Sequence, residues 1–262
     1  QTLFHKPKGK YPFSIQAGDP KIVANKCEID VVSDFRNDHI KFGGEGAPLV
    51  PEFHQKIFSK KNVPLVVLNI GGISNFTYLN GRENFYGSDC GPGNALMDIF
   101  CQKFLDRPFD KNGEHAKSGK VHIPSLNKML SHPFFKRRHP KSTGKEIFNI
   151  EFIPKQLLKK SSNDILATLT ELTAISIAKS LLSLKKSPHQ VIACGVGVKN
   201  SFLMSAIDKN TKLSVTSTCE YGFNPQAIEA MAFGWMARQR IFNSPLIVKK
   251  NKGLLGTITK SR

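Results

Sequence analysis

The 262-residue sequence lacks any uninterrupted apolar run near the ~20 residues that cross a membrane. Its longest candidate, residues 165–184, is broken by Thr168, Thr170, Glu171, Ser176 and Lys179, which argues against a span. No secretory signal is visible: residues 1–10 are basic, but no apolar stretch with a small-residue cleavage site follows. No CxxC pair occurs among Cys27, Cys90, Cys101, Cys194 and Cys219. Their odd number and irregular spacing argue against a disulfide framework or a structural zinc site. Free thiols in a reducing cytoplasm fit better, so the expected location is cytoplasmic. Internal repeats and low-complexity segments are also absent. Acidic residues are few, 20 against 38 Lys and Arg, for a formal charge of +18. Such a charge admits nucleic-acid binding. Yet the basic residues come as dispersed pairs, Lys60-Lys61, Lys159-Lys160, Lys185-Lys186 and Lys249-Lys250, without the interleaved aromatics a single-strand binder needs. The expectation is a lysine-decorated surface, with neither nucleic acid nor membrane as partner. Its positive field would help attract an anionic nucleotide or an acidic sugar.

What is present is an alternation of strand and helix signals. The length suffices for one large domain or two small ones, and the 40% apolar content is ordinary. Residues 27–32 suggest a short strand with Asp34 just past its end. Residues 43–48, Gly-Gly-Glu-Gly-Ala-Pro, form a loop by composition, and Pro51 opens a helix. The continuous run at 65–70 predicts a strand buried on both faces. Gly71-Gly72 breaks it, strand character resumes at 76–79, and Asn80-Gly81 signals a hairpin. Leu96, Ile99, Phe100 and Phe104 have helical spacing, whereas residues 106–150 are basic and weakly periodic, predicting short helices in an irregular segment. The clearest helix is capped at Asn163 or Asp164 and buries Ile165, Leu169, Leu172, Ile175, Ile177 and Leu181, with Lys185 and Lys186 at its C-terminal end. A buried strand at 191–194, a helix at 201–208, a strand at 213–216 and a helix at 227–240 complete an α/β pattern.

Three strand-to-turn junctions carry glycine where a ligand can approach backbone. The first is Asn69-Ile70-Gly71-Gly72-Ile73-Ser74-Asn75, a turn able to present amides to phosphate or a plain β-turn. The second is Gly87-Ser88-Asp89-Cys90-Gly91-Pro92-Gly93-Asn94. Here a helix N-terminus favours anions, and Asp89 makes sense with a metal or water between it and phosphate; a helix cap and turn is the alternative. The third is Gly195-Val196-Gly197, suited to a nucleoside lying over flat backbone, although one GxG is weak. Together they point to a nucleotide held between α/β halves. His115, His122, His132 and His139 are spaced for no zinc pattern, so surface histidines are expected. Residues 141–145, Lys-Ser-Thr-Gly-Lys, lack the strand and first glycine of a P-loop.

In order and spacing, several segments resemble the anhydro-N-acetylmuramic acid kinases. They are Asp34-Phe35-Arg36, the 43–51 loop, 69–75, 89–94, 140–146, 167–174 and Glu229-Ala230-Met231-Ala232-Phe233. The match runs from about residue 17 to about residue 237. The resemblance implies the actin-like, ribonuclease H-like two-domain sugar kinase fold, with ATP and Mg2+ in the cleft and a homodimer. It implies a kinase that adds water across the 1,6-anhydro bridge of its sugar and phosphorylates O6, giving N-acetylmuramic acid 6-phosphate in peptidoglycan recycling. Asp34 matches the family's catalytic Asp and would be the general base; from the residues alone, a turn or N-cap aspartate is the preferred reading. Arg36, Gly43, Gly44 and Glu45 would line the sugar pocket, with Arg36 alternatively a structural ion-pair partner. Glu229 would face the sugar or, alternatively, solvent. Gly71, Gly72, Asn75, Asp89, Gly91, Gly93 and Asn94 would serve the phosphates and magnesium, the metal lying at Asp89 or bridged to it by water. Gly195, Gly197 and Asn200 would serve the nucleoside.

The sequence departs from the family pattern in places. It begins at Gln1 and shows no Gly/Ser/Thr-rich phosphate loop, so the expectation is a first domain partly missing. Expected domains are 1–62, the remainder of the first with the sugar residues, and 63–262, the nucleotide-binding part. The usual Gly-Gly-Gly-Ala run appears as Gly195-Val196-Gly197-Val198, which would crowd the adenine. Cys90 stands where Thr is usual, and Asn37-Asp38-His39 replaces a stretch usually richer in Arg and closed by an acid. The alternative functions are a non-catalytic remnant, or a basic nucleic-acid- or partner-binding protein on the same scaffold.

Overall fold

The computed structural model describes residues 2–59, 63–81, 84–249 and 251–261. Lys60, Lys61 and Lys250 of the basic pairs, and Asn62 at the expected domain boundary, lie outside them. The chain divides into two compact units, residues 1–57 with 229–262, and residues 58–228. This differs from a boundary at 62/63, because the C-terminal helix and ribbons share a core with the N-terminal residues.

The first unit opens with an antiparallel ribbon of β1 (Thr2–Lys6) and β2 (Phe13–Gln16). Helix α1 (Pro20–Cys27) follows, with Asp19 capping Lys21 and Pro at the first turn. The strand expected from residue 27 is therefore shorter: β3 (Val31–Ser33) begins only after α1 ends in a left-handed Glu28. Helices α2 (Phe35–Lys41) and α3 (Pro51–Phe58) flank the glycine loop.

In the second unit β4 (Leu65–Ile70), β5 (Ile73–Leu79) and β6 (Phe85–Pro92) form an antiparallel meander. Helices α4 (Ala95–Phe104), α5 (Glu114–Lys117), α6 (Ile123–Leu130) and α7 (Pro133–Lys136) lead to α8 (Ser162–Leu182). Then come β7 (Gln190–Cys194), α9 (Ser201–Thr211) and β8 (Val215–Ser217). The sheet order is β6-β5-β4-β7-β8, with β7 and β8 parallel to β4. This mixed five-stranded sheet, with helices between its strands, is the expected α/β class. Its central strand β4 is buried on both faces, as its unbroken apolar run requires.

Helix α8 is capped by Ser161, whose side chain accepts from the Asp164 amide, two residues before the expected cap. It is apolar and long enough to cross a membrane by length and composition, contrary to expectation, but its surface is mostly buried in the core. Fully buried Leu166, Leu169, Leu172 and Ile177 pack with Val66, Leu68, Phe76 and Leu203. Lys185 and Lys186 lie beyond its C-cap, Ser183.

The chain closes the first unit with α10 (Ile228–Ile241), an antiparallel ribbon of β9 (Leu246–Val248) and β10 (Asn251–Gly253), and β11 (Thr257–Thr259), which pairs with β3. Met236, Leu246, Val248 and Leu255 pack with Phe35.

Candidate active site

In the first unit, β3 delivers Asp34 to the start of α2 in a left-handed conformation, φ 61° and ψ 30°. Aspartate tolerates this region better than most residues, but it still costs roughly 1 kcal/mol or more. Asp34 occupies the N-cap position yet makes no cap hydrogen bond, so capping is not what its carboxylate does. Its Oδ1 instead accepts from Asn37 Nδ2 at 2.6 Å. Asn37 is fixed in turn: its Oδ1 accepts from the Ser14 amide at 2.8 Å, and Nδ2 also donates to the Ser14 carbonyl at 3.0 Å. The Asp34 side chain is exposed and aimed by a neighbour that β2 holds still.

Arg36 is half-buried and donates from Nη1 to the Gly46 carbonyl at 2.7 Å. Burial pulls its pKa down, and the charge of Glu229 opposes that, so Arg36 and Glu229 are brought within electrostatic reach. They make no contact ion pair, and Glu229 stays exposed. The glycine loop is organised by His39, which the sequence reading singled out only as a departure. The Gly44 amide donates to its carbonyl at 2.8 Å, and the Gly46 amide to its Nδ1 at 2.8 Å. Nδ1 can accept only on a neutral ring, and burial pushes the His39 pKa down to about 4. A Cβ on Gly44 would lie 2.2 Å from the His39 ring, so this position excludes every side chain. Gly43 turns the chain at φ 88°. Glu45, expected at the sugar, is engaged by Lys8 at 3.2 Å and Lys249 at 3.8 Å. The sequence marked Asn37 and His39 only as departures and Ser14 not at all, because their roles arise from pairings that loop folding creates.

In the second unit the Gly71-Gly72 turn and the N-terminus of α4 satisfy each other. The amides of Gly93 and Ala95 donate to the Gly72 carbonyl at 2.9 and 3.0 Å, and the Asn94 amide donates to the Gly71 carbonyl at 2.8 Å. Those helix-end donors are therefore already paired, not held open for phosphate. Gly93 is glycine because a Cβ would sit 2.2 Å from the Gly71 carbonyl oxygen; Gly91, also buried, lies against Phe135 and Ser176. By contrast, a Cβ built on Gly71 or Gly72 would meet only ordinary van der Waals contacts, 3.6 Å from the Ile73 carbonyl oxygen and 3.8 Å from the Lys145 side chain. Asn75 lies across from Asp89 in the sheet.

Asp89 is half-buried, and its Oδ2 accepts from the Thr143 amide at 2.8 Å. Burial pushes its carboxyl up to about 6, with the Thr143 amide opposing and Glu146 adding to the rise. Such a carboxylate, with a second one in electrostatic reach, suits a hard cation that shares its ligands with phosphate. No cluster of three metal-ligating side chains occurs among the described residues.

After β7, Gly195 turns at φ 88° and Gly197 packs on Ile70, where a Cβ would come within 2.3 Å of Cγ2. Asn200 caps α9, its Oδ1 accepting from the Leu203 amide at 3.0 Å. Beside this turn lies a cavity of about 320 Å³ whose walls include Asn94, Asp98, Asn112, Val196, Gly197 and Asn200. The volume falls in the range of small-ligand sites. The structure thus gathers Asn94, Gly197 and Asn200 here; Gly71, Gly72, Asn75, Asp89, Gly91, Gly93 and Gly195 are not in its walls. Asp98, absent from the sequence reading, stands one turn after Asn94 on α4, and its carboxyl is raised to about 6 by burial against the opposing Lys145. That four-residue spacing was a usable signal. Val196, half-exposed, forms part of the cavity wall.

Cys90 is fully buried and its thiol is pushed up to about 12 by burial, which makes it a packing residue. The four histidines are half-buried rather than on the surface, each with its own partner. His115 Nδ1 meets Asn163, His122 Nδ1 meets Ser125, His132 Nδ1 accepts from the Phe134 amide and His139 Nδ1 meets Ser88.

A model of the anhydro-N-acetylmuramic acid kinase family matches residues 1–259. The anhydro-N-acetylmuramic acid kinase of gamma-proteobacterium EBAC31A08 is 48% identical, covering 100% of this chain and 73% of its own length. That of Pasteurella multocida is 44% identical, covering 94% of this chain and 66% of its own length. For Haemophilus influenzae the figures are 40%, 94% and 68%. The chain thus spans about two thirds to three quarters of the length of these relatives. A ligand-bound xylulose kinase from Lactobacillus acidophilus superposes with a TM-score of 0.46 at 10% identity over 80% of this chain and 45% of that one, a likeness too loose to carry an argument.

Proposed function

The chain belongs to the anhydro-N-acetylmuramic acid kinase family, and on that footing we propose that it carries the greater part of an ATP-dependent kinase acting on 1,6-anhydro-N-acetylmuramic acid in the cytoplasm. The observation that supports this reading most is the state of Asp34: exposed, in a strained backbone conformation, and aimed by Asn37 instead of capping its helix. Strain held in place by surrounding contacts is a mark of functional positions.

In the proposed reaction the Asp34 carboxylate takes a proton from water as its oxygen attacks the anomeric carbon. The C1–O6 bond of the bridge breaks, and its electrons leave with O6. O6 then attacks the γ-phosphorus of ATP in line, the bond to the β,γ-bridging oxygen breaks, and ADP departs with that electron pair. The product is N-acetylmuramic acid 6-phosphate. Arg36, with its charge set against Glu229, orients the sugar, whose acidic group it can pair. The cavity at Asp98, Gly197 and Asn200 takes the nucleoside, and the Gly71-Gly72 turn takes the phosphates. Asp89, with water between, would hold Mg2+, which neutralises phosphate charge when bound.

The test is a product assay on the chain extended to the full length of its relatives, with magnesium-ATP and the anhydro sugar. Phosphorylated, ring-opened product is expected. Asp34→Asn is expected to lower kcat by about 10²–10⁴-fold, the usual contribution of a general base. Full turnover by Asp34→Asn, or no phosphorylation by the folded wild type, would remove the reading.

A further inference from the structure

A second cavity, about 460 Å³, lies in the 58–228 unit and shares no lining residue with the one at Asp98. Six cations line it: Lys136 at the end of α7, Arg137 and Arg138 just after it, Lys141, Lys179 from α8, and Lys185 beyond the end of α8. No carboxylate lines it. None of the six takes part in an ion pair among the described residues; the pairs present there all lie in the other unit. Six like charges around one concavity repel, and the low-dielectric walls of a cleft strengthen their joint field. Elsewhere the protein disperses its basic residues; here helix and loop converge them.

The polar groups in the wall do not relieve this charge; among the described residues the one carboxylate that acts on it is Asp89, outside the lining, through Lys141. Ser176 and Ser180 also line the cavity, but their hydroxyls donate back to carbonyls of α8 at 2.9 Å. His139 is held neutral, its pKa pushed down to about 4 by burial and by Lys141. Lys141 is the one cation anchored in the wall: its Nζ donates to the Phe134 carbonyl at 3.3 Å and lies 4.5 Å from the Phe134 ring centre. The others reach out on exposed stems. Tyr86 and Phe135 add an apolar wall. A concavity of this volume suits a small molecule better than the extended track that a nucleic-acid strand needs.

We propose that this cavity is a second ligand site, which binds a small molecule carrying two or more phosphate charges. The arginines pair phosphate oxygens bidentately, the lysines add point charges, and the aromatic wall covers whatever organic part the ligand has.

The probe is inorganic pyrophosphate, titrated calorimetrically into the chain at low and at moderate salt. Three proteins are compared: wild type, Arg137→Ala/Arg138→Ala/Lys179→Ala, and Lys145→Ala beside the Gly71-Gly72 turn. The three substituted positions in the triple variant are exposed, so its fold, checked by circular dichroism, is expected to be unchanged. Saturable binding that weakens with salt is expected, with affinity at least about tenfold lower in the triple variant and retained in Lys145→Ala. Equal binding by wild type and the folded triple variant overturns the proposal, as does the absence of saturable binding at low salt. A short single-stranded RNA that displaces pyrophosphate and binds more tightly would also overturn it, because the site would then belong to a nucleic acid.

Discussion

The two units position their candidate residues by different means. In residues 58–228 the positioning is done by packing: the largest fully buried side chains, among them Phe76, Phe134, Phe148 and Leu169, all lie there. Gly93 and Gly197 are fixed by backbone and side-chain approaches that leave no room for a methyl group. In residues 1–57 and 229–262 the sheets are two-stranded ribbons, and the core centres on Phe35, Met236, Leu246, Val248 and Leu255. Asp34 and the 43–46 loop are positioned by polar contacts from Asn37, His39 and Arg36. Two-stranded ribbons are marginal on their own, whereas a five-stranded sheet under a long buried helix is not. The packed half is the one proposed for the nucleotide, and the polar half the one proposed for the sugar.

Breaking the packed half is expected to have the largest effect. Leu169→Ala, fully buried on α8, should cost about 2–5 kcal/mol in chemical denaturation. A loss under ~1 kcal/mol would mean that α8 is not the keystone of that core. Gly197→Ala comes next. Its Cβ would lie 2.3 Å from Ile70 Cγ2, and overpacking of this kind costs about 1–3 kcal/mol, seen as a lowered melting temperature with raised KM for ATP.

The smallest effect separates the halves by pH. In the first unit burial lowers the pKa of His39 to about 4 and of His54 to about 3. These histidines favour the fold above the unfolded value near 6.5, and that contribution is lost as pH falls below it. In the second unit Asp89 and Asp98 are raised to about 6, so their burial favours the fold increasingly as pH falls from 6 toward 4, against the opposite effect of His139. Hydrogen exchange, corrected for intrinsic rates, should show the first unit losing more protection between about pH 7 and about pH 4.5. A larger loss in residues 58–228 would reverse the comparison.

The packed half was also the legible half. The unbroken run at 65–70, the Asn80-Gly81 hairpin and the apolar spacing of the 165–181 helix each state their structure within a few residues. The polar half is written in contacts between distant residues. Ser14 to Asn37, Gly256 to Asp38 and β3 to β11 join segments that no local period relates. That is why the expected boundary at 62/63 separates 229–262 from residues 1–57, with which they form one unit, and why His39 passed as a mere departure. The glycines were visible, but not their reason: Gly91 and Gly93 are glycine for close packing, a need that looks identical in sequence to room for phosphate.

The central claim is that catalysis and nucleotide binding are divided between the two units. Measuring ADP affinity and turnover in Asp34→Asn and Val196→Trp, in the chain extended to its relatives' length, tests it most directly. Asp34→Asn should keep wild-type ADP affinity while losing turnover, and Val196→Trp, which fills the cavity at Asp98, should lose at least about tenfold in ADP affinity. Wild-type ADP affinity in Val196→Trp, or lost affinity in Asp34→Asn, would contradict the division.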